Sequence, residues 1–347
     1  MRPTSNDRGS RRGGQRCDVC VLGAGPAGLA VASRLLDYGR EVVVLDRPQK
    51  RTLWGGETFT GAVRAPLTAL GCWDRFVHAG HLPGYERRSG WGGATQTEDS
   101  IFQPNGALWH VDRDRFNNDL RATIEERGSD VATYERLDTI TRDGGRWRLS
   151  LDGRDVIARY LVDATGRRRT LARTLGARVE VHDQLVGLTA KVSQQETDAE
   201  LRSMVIEATP FGWWYAAPIP AGHVLVLFTD GDLAPVEVRR QLRPVAANSV
   251  FTHLNSEQGW LPVGDACASH DPLCGWGVHR ALTNGLLAAD AIDSFLVDGD
   301  TKPLAGYLQR CERQYGRYLE GLTRNYSIER RWPTAPFWER RHRLVTV

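Results

Sequence analysis

The stretch CDVCVLGAGPAGLAVASRLLDYGREVVVLD, residues 17–46, constrains this chain more than any other. Its opening, CDVCVL, is a short apolar run that predicts a buried strand, and Leu29, Ala32, Leu35 and Leu36 recur at helical spacing over residues 26–38. Between them stands Gly23-Ala24-Gly25-Pro26-Ala27-Gly28. Such a turn needs its first glycine for the tight bend, its second so that backbone can approach a pyrophosphate, and its third so that helix can pack on strand. The helix N-terminus then presents unpaired amides, and its dipole favours an anion. After Gly39, EVVVLD predicts a second buried strand ending in Asp46, about twenty residues beyond Gly25, where a carboxylate can accept from ribose hydroxyls. Strand, glycine turn, helix, strand and acid in this order predict a dinucleotide site shaped by Gly23, Gly25, Pro26, Ala27, Gly28 and Asp46.

A second signal lies far from the first, in VGDACASHDPLCGWGVHRALTNG, residues 263–285. The run WLPVGD, residues 260–265, predicts a strand that delivers Gly264 and Asp265 at its carboxyl end, where open α/β sheets collect ligands. The next loop carries Pro272, Gly275 and Gly277. Beyond it Val278, Ala281, Leu282, Gly285, Leu286, Ala289 and Ile292 predict a helix over residues 278–295. The N-terminus of that helix aims partial positive charge at the loop, and the glycines let a flat ring come close.

The bulk composition narrows the rest. With 347 residues, 41% hydrophobic and 25% charged, the chain can bury a large core and by length makes about two domains. A formal net charge of +3 is too balanced to predict nucleic acid or a lipid surface as partner. No apolar run is long enough to span a membrane, and the opening MRPTSNDRGSRRGGQR lacks the apolar core of a secretory signal, so a cytoplasmic location is expected. Six cysteines in a chain of this length do not read as a disulfide framework. Cys17 and Cys20 fall where small buried thiols are common, with a redox CxxC pair as the competing reading. No metal is predicted.

Beyond Asp46 the chain lacks the alternation of strands and helices expected of a nicotinamide dehydrogenase. It continues with WGGETFTGAV, then HVDRDRFNNDLRATIEERG, then YLVDATGRRRTLAR, and later VGDA. In that order these pieces resemble the FAD-dependent monooxygenases and halogenases of the aromatic-hydroxylase fold, over most of residues 17–343. The resemblance implies an α/β protein with an α+β insert. A Rossmann-like FAD-binding domain would be assembled from residues 17–75, 107–174 and 252–300, with an antiparallel substrate sheet from 76–106 and 175–251. Residues 301–347 would form a helical tail, and residues 1–16, rich in Gly, Ser and Arg, are expected to be a disordered head. It also implies that Arg113 reaches the phosphate or ribose region, that Arg47 lies beside the adenine, that Gly166 lies near the cofactor and that Asp265 binds ribityl or ribose hydroxyls. FAD is the cofactor so implied, O2 the co-substrate, and NAD(P)H or a separate flavin reductase the electron source, since only one phosphate-gripping turn is visible.

Three side chains are catalytic candidates by position. Glu57, in GGET, matches a turn alongside the isoalloxazine and reads equally as a capping carboxylate. Trp276 and Cys274 depart from the family's usual residues, and Trp276 would narrow the space over the ring. His270 is either a proton carrier or a loop histidine bonded to backbone or solvent.

On the substrate side, VLVLF and GWWYAAPIP alternate as antiparallel strands do. Trp213 and Tyr215 share one strand face and Trp214 takes the other, so the pair either walls a pocket for a flat aromatic or packs the core. Flavin halogenases carry a catalytic lysine after the GExx turn, whereas no lysine occurs here from Arg51 to Ala190, which disfavours halogenation. The tail YSIERRWPTAPFWERRH, with GWWYAAPIP and HDPLCGWG, resembles the flavoproteins that mature tryptophylquinone cofactors of amine and amino-acid oxidases and dehydrogenases, acting on a tryptophan of a partner protein. Most of that tail reads as a packing brace. The expected chemistry is hydroxylation of an electron-rich aromatic through a flavin C4a-hydroperoxide. A halogenase of an indole or phenol is one alternative. An FAD-binding accessory or chaperone for an oxidase precursor is the other, motivated by a segment, residues 232–250, shorter than such flavoproteins usually have.

Overall fold

A computed structural model describes residues 14–48, 56–100, 105–193, 202–255 and 258–343. Its first layer is a twisted sheet running Val131–Thr133, Val42–Asp46, Gln15–Leu22, Arg154–Asp163, Arg146–Leu151, Leu137–Asp143, with Trp260–Pro262 beside the far half of Arg154–Asp163. Val131–Thr133, Val42–Asp46, Gln15–Leu22, Arg154–Asp163 and Trp260–Pro262 are parallel to one another, while the hairpin of residues 137–151 adds antiparallel strands. Parallel strands covered on both faces must be apolar throughout, which is why VVVLD and YLVD read as continuous hydrophobic runs. Their carboxyl ends, Leu22, Asp46, Asp163 and Pro262, therefore open on the same edge.

The first strand begins at Gln15, with Gln15 and Arg16 paired to Val156 and Ile157, so these two residues do not belong to a disordered head. The long partner strand Arg154–Asp163 supplies the extra ladder positions. Residues 1–13 lie outside the described residues.

Helix Pro26–Asp37 and helix Gly277–Asp298 cross on one face of this sheet. Their approach depends on Gly285, where a Cβ would stand 2.7 Å from Ala27 O and 2.8 Å from the Ala30 Cβ. Close-packed interiors cannot absorb such an overlap, so only glycine permits the crossing. The tail helix Lys302–Ile328 packs on the outside of Gly277–Asp298, burying Leu304, Tyr307, Cys311, Tyr315 and Tyr318 in the same core.

The second layer is a seven-stranded sheet, ordered Arg243–Ala246, Leu185–Ser193, Gly222–Asp230, Gly212–Ile219, Met204–Thr209, Glu86–Gly90, Gln96–Asp99. It is antiparallel except where Met204–Thr209 joins Glu86–Gly90 in parallel. The compact segment after Asp230 holds the short helix Val236–Gln241 and the edge strand Arg243–Ala246, which pairs with Leu185–Ser193 and extends the roof on that side. Trp213 faces the core with Phe228, while Trp214 packs with Leu188 and Leu227 on the opposite side, as the two-residue period of a strand demands. Helix Pro336–Arg343 lies against this roof. Its Phe337 and Trp338 are fully buried, the Trp338 Nε1–H donates to Thr209 O at 2.7 Å, and Arg341 pairs with the buried Asp230 at 2.9 Å. Among the described residues no helix is long and apolar enough to cross a membrane.

All six cysteines are free, and all but Cys274 are buried. Burial pushes the Cys17 thiol up to about 12 and raises Cys20 as well, which keeps both protonated and unreactive. A water-soluble disulfide reagent is accordingly expected to titrate no more than one thiol per native chain and all six after denaturation. Rapid native reaction of both Cys17 and Cys20 would restore the redox reading of CDVC.

Candidate active site

A cleft of about 670 Å³ opens where the parallel strands end and runs under the roof sheet. The glycine turn forms part of its wall. Gly23 has φ +106°, and a Cβ there would stand 2.2 Å from Ala164 O, so the turn closes only with glycine. Gly25 caps helix Pro26–Asp37 in extended backbone, and Pro26 at the first helical position lacks the N–H that would be unpaired anyway. Of the three glycines in this turn, Gly28 is the one that does not line the cleft. A Cβ on it would lie 2.1 Å from Gly23 O and 2.8 Å from the Ala164 Cβ, so its work is to seat helix on strand.

The other predicted contacts converge on the same space: Asp46, Arg47, Arg113, Gly166, Gly264, Asp265, Pro272, Gly275, Trp276 and Gly277 all line it. Gly25, Gly166, Gly275 and Gly277 share a further property. A Cβ built on any of the four meets no protein atom within 4 Å, so each backbone borders open cleft that a side chain would fill. Two helix N-termini, Pro26–Asp37 and Gly277–Asp298, reach the cleft without a side-chain cap, leaving amides for an anion or an electron-rich ring edge. Asp46 is steadied by Ala24 N–H at 3.2 Å and by Arg121 at 3.3 Å. Two dipole ends, an acid at a strand end and a glycine-lined slot are the donor set that a dinucleotide carrying a flat ring requires, and FAD fits it.

Glu57 caps no helix; it forms an ion pair with Arg113, whose Nε also donates to Asn117 Oδ1 at 3.2 Å. Asp112, not Glu57, caps the helix Arg113–Glu126. Asp163 of DATG is fully buried and accepts from Thr165 and from Ala172 N–H, so it holds the turn that carries Gly166. Asp265 lies 3.5 Å from Arg167 Nε and is partly open to the cleft.

His270 also lines the cleft, with its ring edge-on to Tyr318 at 4.5 Å. Burial, with Arg280 and Arg167 nearby, holds its ring well below the usual histidine range, so it is neutral at physiological pH. Trp276 caps helix Gly277–Asp298 and meets His279 edge to face at 5.0 Å. Cys274 accepts from Arg280 at 3.7 Å.

On the roof side Trp213 and Tyr215 line the cleft and are also packed into the sheet core, so they serve as wall and as core at once. Trp213 stacks on Phe228 with ring centroids 4.1 Å apart. The Tyr215 hydroxyl donates to Thr58 Oγ1 and accepts from Thr58 N–H, both at 2.9 Å, tying the roof to strand Gly56–Phe59. Thr58 Oγ1 in turn lies 2.8 Å from His110 Nδ1, and burial takes that imidazole down to about 4. Sequence reasoning missed Thr58 and His110, and it missed Asp271, Tyr318 and Tyr326, which hold the cleft loop from behind. The Asp-Pro step at 271–272, a turn-starting pair, was the signal available for one of them.

The FAD binding domain family matches residues 16–226. The chain belongs to that family. It is an FAD-dependent oxidoreductase, 28% identical to the putative FAD-dependent oxidoreductase LodB of Marinomonas mediterranea over 94% of this chain and 96% of that protein. Its fold is similar to that of QhpG, a peptidyl tryptophan dihydroxylase essential for tryptophylquinone cofactor biogenesis, with a TM-score of 0.76, 23% identity, and coverage of 94% of this chain and 78% of the other. It is also similar to the myxobacterial chondrochloren halogenase CndH, with a TM-score of 0.83, 22% identity, and coverage of 94% and 86%. At such identities these structures establish that the flavoprotein shares the monooxygenase and halogenase fold.

Proposed function

We propose that this flavoprotein is a monooxygenase that hydroxylates an electron-rich aromatic ring, with a tryptophan side chain of a partner protein as the substrate. The observation that carries the reading is the continuity of the cleft, which runs from the glycine turn at Gly25 to the aromatic wall of Trp213, Tyr215 and Phe228. The names of LodB and QhpG support the choice of oxidoreductase and of a peptidyl tryptophan. Bound FAD would supply two-electron reduction and dioxygen activation. In the net reaction one oxygen atom of O2 enters a ring C–H bond and the other leaves as water, with two electrons and one proton drawn as a hydride from NAD(P)H, directly or through a separate reductase, and the second proton taken from solvent.

The chain's own residues would bind, orient and exclude water. The amides at Gly25 and Ala27, which line the cleft, would hold pyrophosphate, Asp46 and Asp265 would accept from sugar hydroxyls, and Arg47 and Arg113 would meet the nucleotide's phosphates or base. The amides that open helix Gly277–Asp298 would stabilise negative charge on the pyrimidine edge of the reduced ring without any titrating side chain. Trp213 and Tyr215 would bound the ring to be oxidised and keep solvent from it.

Halogenation is disfavoured because, among the described residues, no lysine lines the cleft. One assay separates the readings. Holoprotein, a flavin reductase, NADH, O2 and chloride are incubated with a tryptophan-containing precursor peptide, and the product is weighed. A gain of oxygen atoms with matched O2 uptake is expected. A chlorinated product would select the halogenase, and peptide binding without O2 uptake would select an accessory protein.

A further inference from the structure

The loop that opens helix Gly277–Asp298 is held from behind by one buried carboxylate. Asp271 is 1% exposed and sits at the start of Pro272–Cys274, the short helical turn that presents Gly275 to the cleft. Its Oδ1 accepts from Leu273 N–H at 2.9 Å, within the loop. Its Oδ2 accepts from the Tyr326 hydroxyl at 2.7 Å, outside it. The Asp271 backbone N–H donates to the Tyr318 hydroxyl at 2.7 Å, and that hydroxyl lies 2.6 Å from Ser249 Oγ. Tyr318 and Tyr326 both come from the tail helix Lys302–Ile328. Tyr326 completes the connection, because its oxygen also accepts from Trp213 Nε1–H at 3.1 Å. One chain of hydrogen bonds thus runs from Leu273, beside the flavin loop, through Asp271 and Tyr326 to Trp213 on the roof.

We propose that Asp271 is a positioning residue that locks the 271–277 loop to the tail helix and, through Tyr326, couples the flavin cradle to the Trp213 wall of the substrate space. The coupling to the wall rests on the proposed substrate side; the locking of the loop rests only on FAD binding. Both groups that meet the carboxylate donate to it, and the anion accepts from both. A protonated acid, or an amide, must instead donate to the Tyr326 oxygen, which already accepts from Trp213, and the proton of that buried hydroxyl then loses its acceptor.

Among the described residues no cationic side chain forms an ion pair with this carboxylate. Arg341, from helix Pro336–Arg343, lies over the Tyr326 ring at 5.2 Å but is committed to Asp230. Asp183, which accepts from Ser249 N–H, adds like charge, Cys274 and His270 lie on the cleft side, and Arg280 lies over the Tyr318 ring at 5.6 Å. Burial first, then Asp183, push Asp271 up to about 6, against the lowering pull of Tyr326, Leu273 and Arg341. The lock is therefore intact above about pH 6 and loosens as the pH falls through that value.

The test is FAD affinity of the full chain, read by flavin fluorescence between pH 5 and 8. The native protein is expected to bind FAD more weakly as the pH falls, with a midpoint near 6. Asp271→Asn should bind about tenfold more weakly at pH 7.5 and lose that midpoint. Tyr326→Phe should also weaken binding, and because it removes a donor that lowers the carboxylate it should move the midpoint upward. If Asp271→Asn does not fold, Tyr326→Phe and the native profile still decide. Combined with Trp213→Phe, Tyr326→Phe should cost less than the sum of the two, as members of one chain do. A native pH profile unchanged in Tyr326→Phe, or kept in Asp271→Asn, overturns the lock. Additive costs overturn the coupling to Trp213 alone. Failure of the peptide assay with these results intact would leave the lock standing and sink the substrate instead.

Discussion

Gly25→Val is expected to weaken FAD binding by at least about a hundredfold while leaving the apoprotein folded. A Cβ at Gly25 meets no protein atom within 4 Å, and the backbone there is extended, which valine adopts without strain. The only intrinsic cost is a poorer helix cap, about 1 kcal/mol. The side chain would instead occupy the space that the turn leaves for a pyrophosphate, removing close backbone approach at the centre of the anion site. Gly28→Val should fail in the opposite order. Its Cβ would strike Gly23 O at 2.1 Å, so the apoprotein should lose about 3 kcal/mol or more before any ligand is added. Thermal melts of FAD-stripped protein beside FAD titrations distinguish the two. Near-native FAD affinity in Gly25→Val would mean that the phosphates lie elsewhere.

Trp338→Ala should cost about 3–5 kcal/mol and lower the melting temperature by about 4–7 °C. Trp338 is fully buried among Trp91, Tyr326, Phe337 and Trp332, and its Nε1–H satisfies Thr209 O on a roof strand. Truncation empties a large site at the junction of tail and roof and leaves that carbonyl unpaired. Trp338→Phe keeps most of the volume and should lose only about 1–2 kcal/mol, the cost of one unpaired buried acceptor. Calorimetry of the three proteins checks the order. If the alanine variant melts within a degree or two of the parent, the tail does not brace the roof.

The cradle was legible because each of its parts is local. A glycine turn between an apolar strand and an amphipathic helix can do little but bend tightly, and the residues of GAGPAG, VGDA and PLCGWG carry that information within a few positions of one another. The aromatic pair at 213 and 215 was legible only as a face, since alternation tells which side chains point together and not what they point at. The structure answers that Trp213 and Tyr215 are pocket wall and core together. Glu57 illustrates the opposite case. Its turn was visible, but its partner Arg113, fifty-odd positions away on another element, decides that it is an ion pair.

The order of residues was enough to specify the parallel strands, the two helices that open on glycine and the acids at the strand ends, because backbone sterics and hydrophobic periodicity act over a turn or two. It took packing in three dimensions to send Tyr318 and Tyr326 of the tail helix to Asp271, to bring Arg341 to Asp230, and to join cradle and roof in one cleft. Those contacts depend on how layers stack, and a buried carboxylate finds its donors wherever packing brings them, regardless of their distance along the chain.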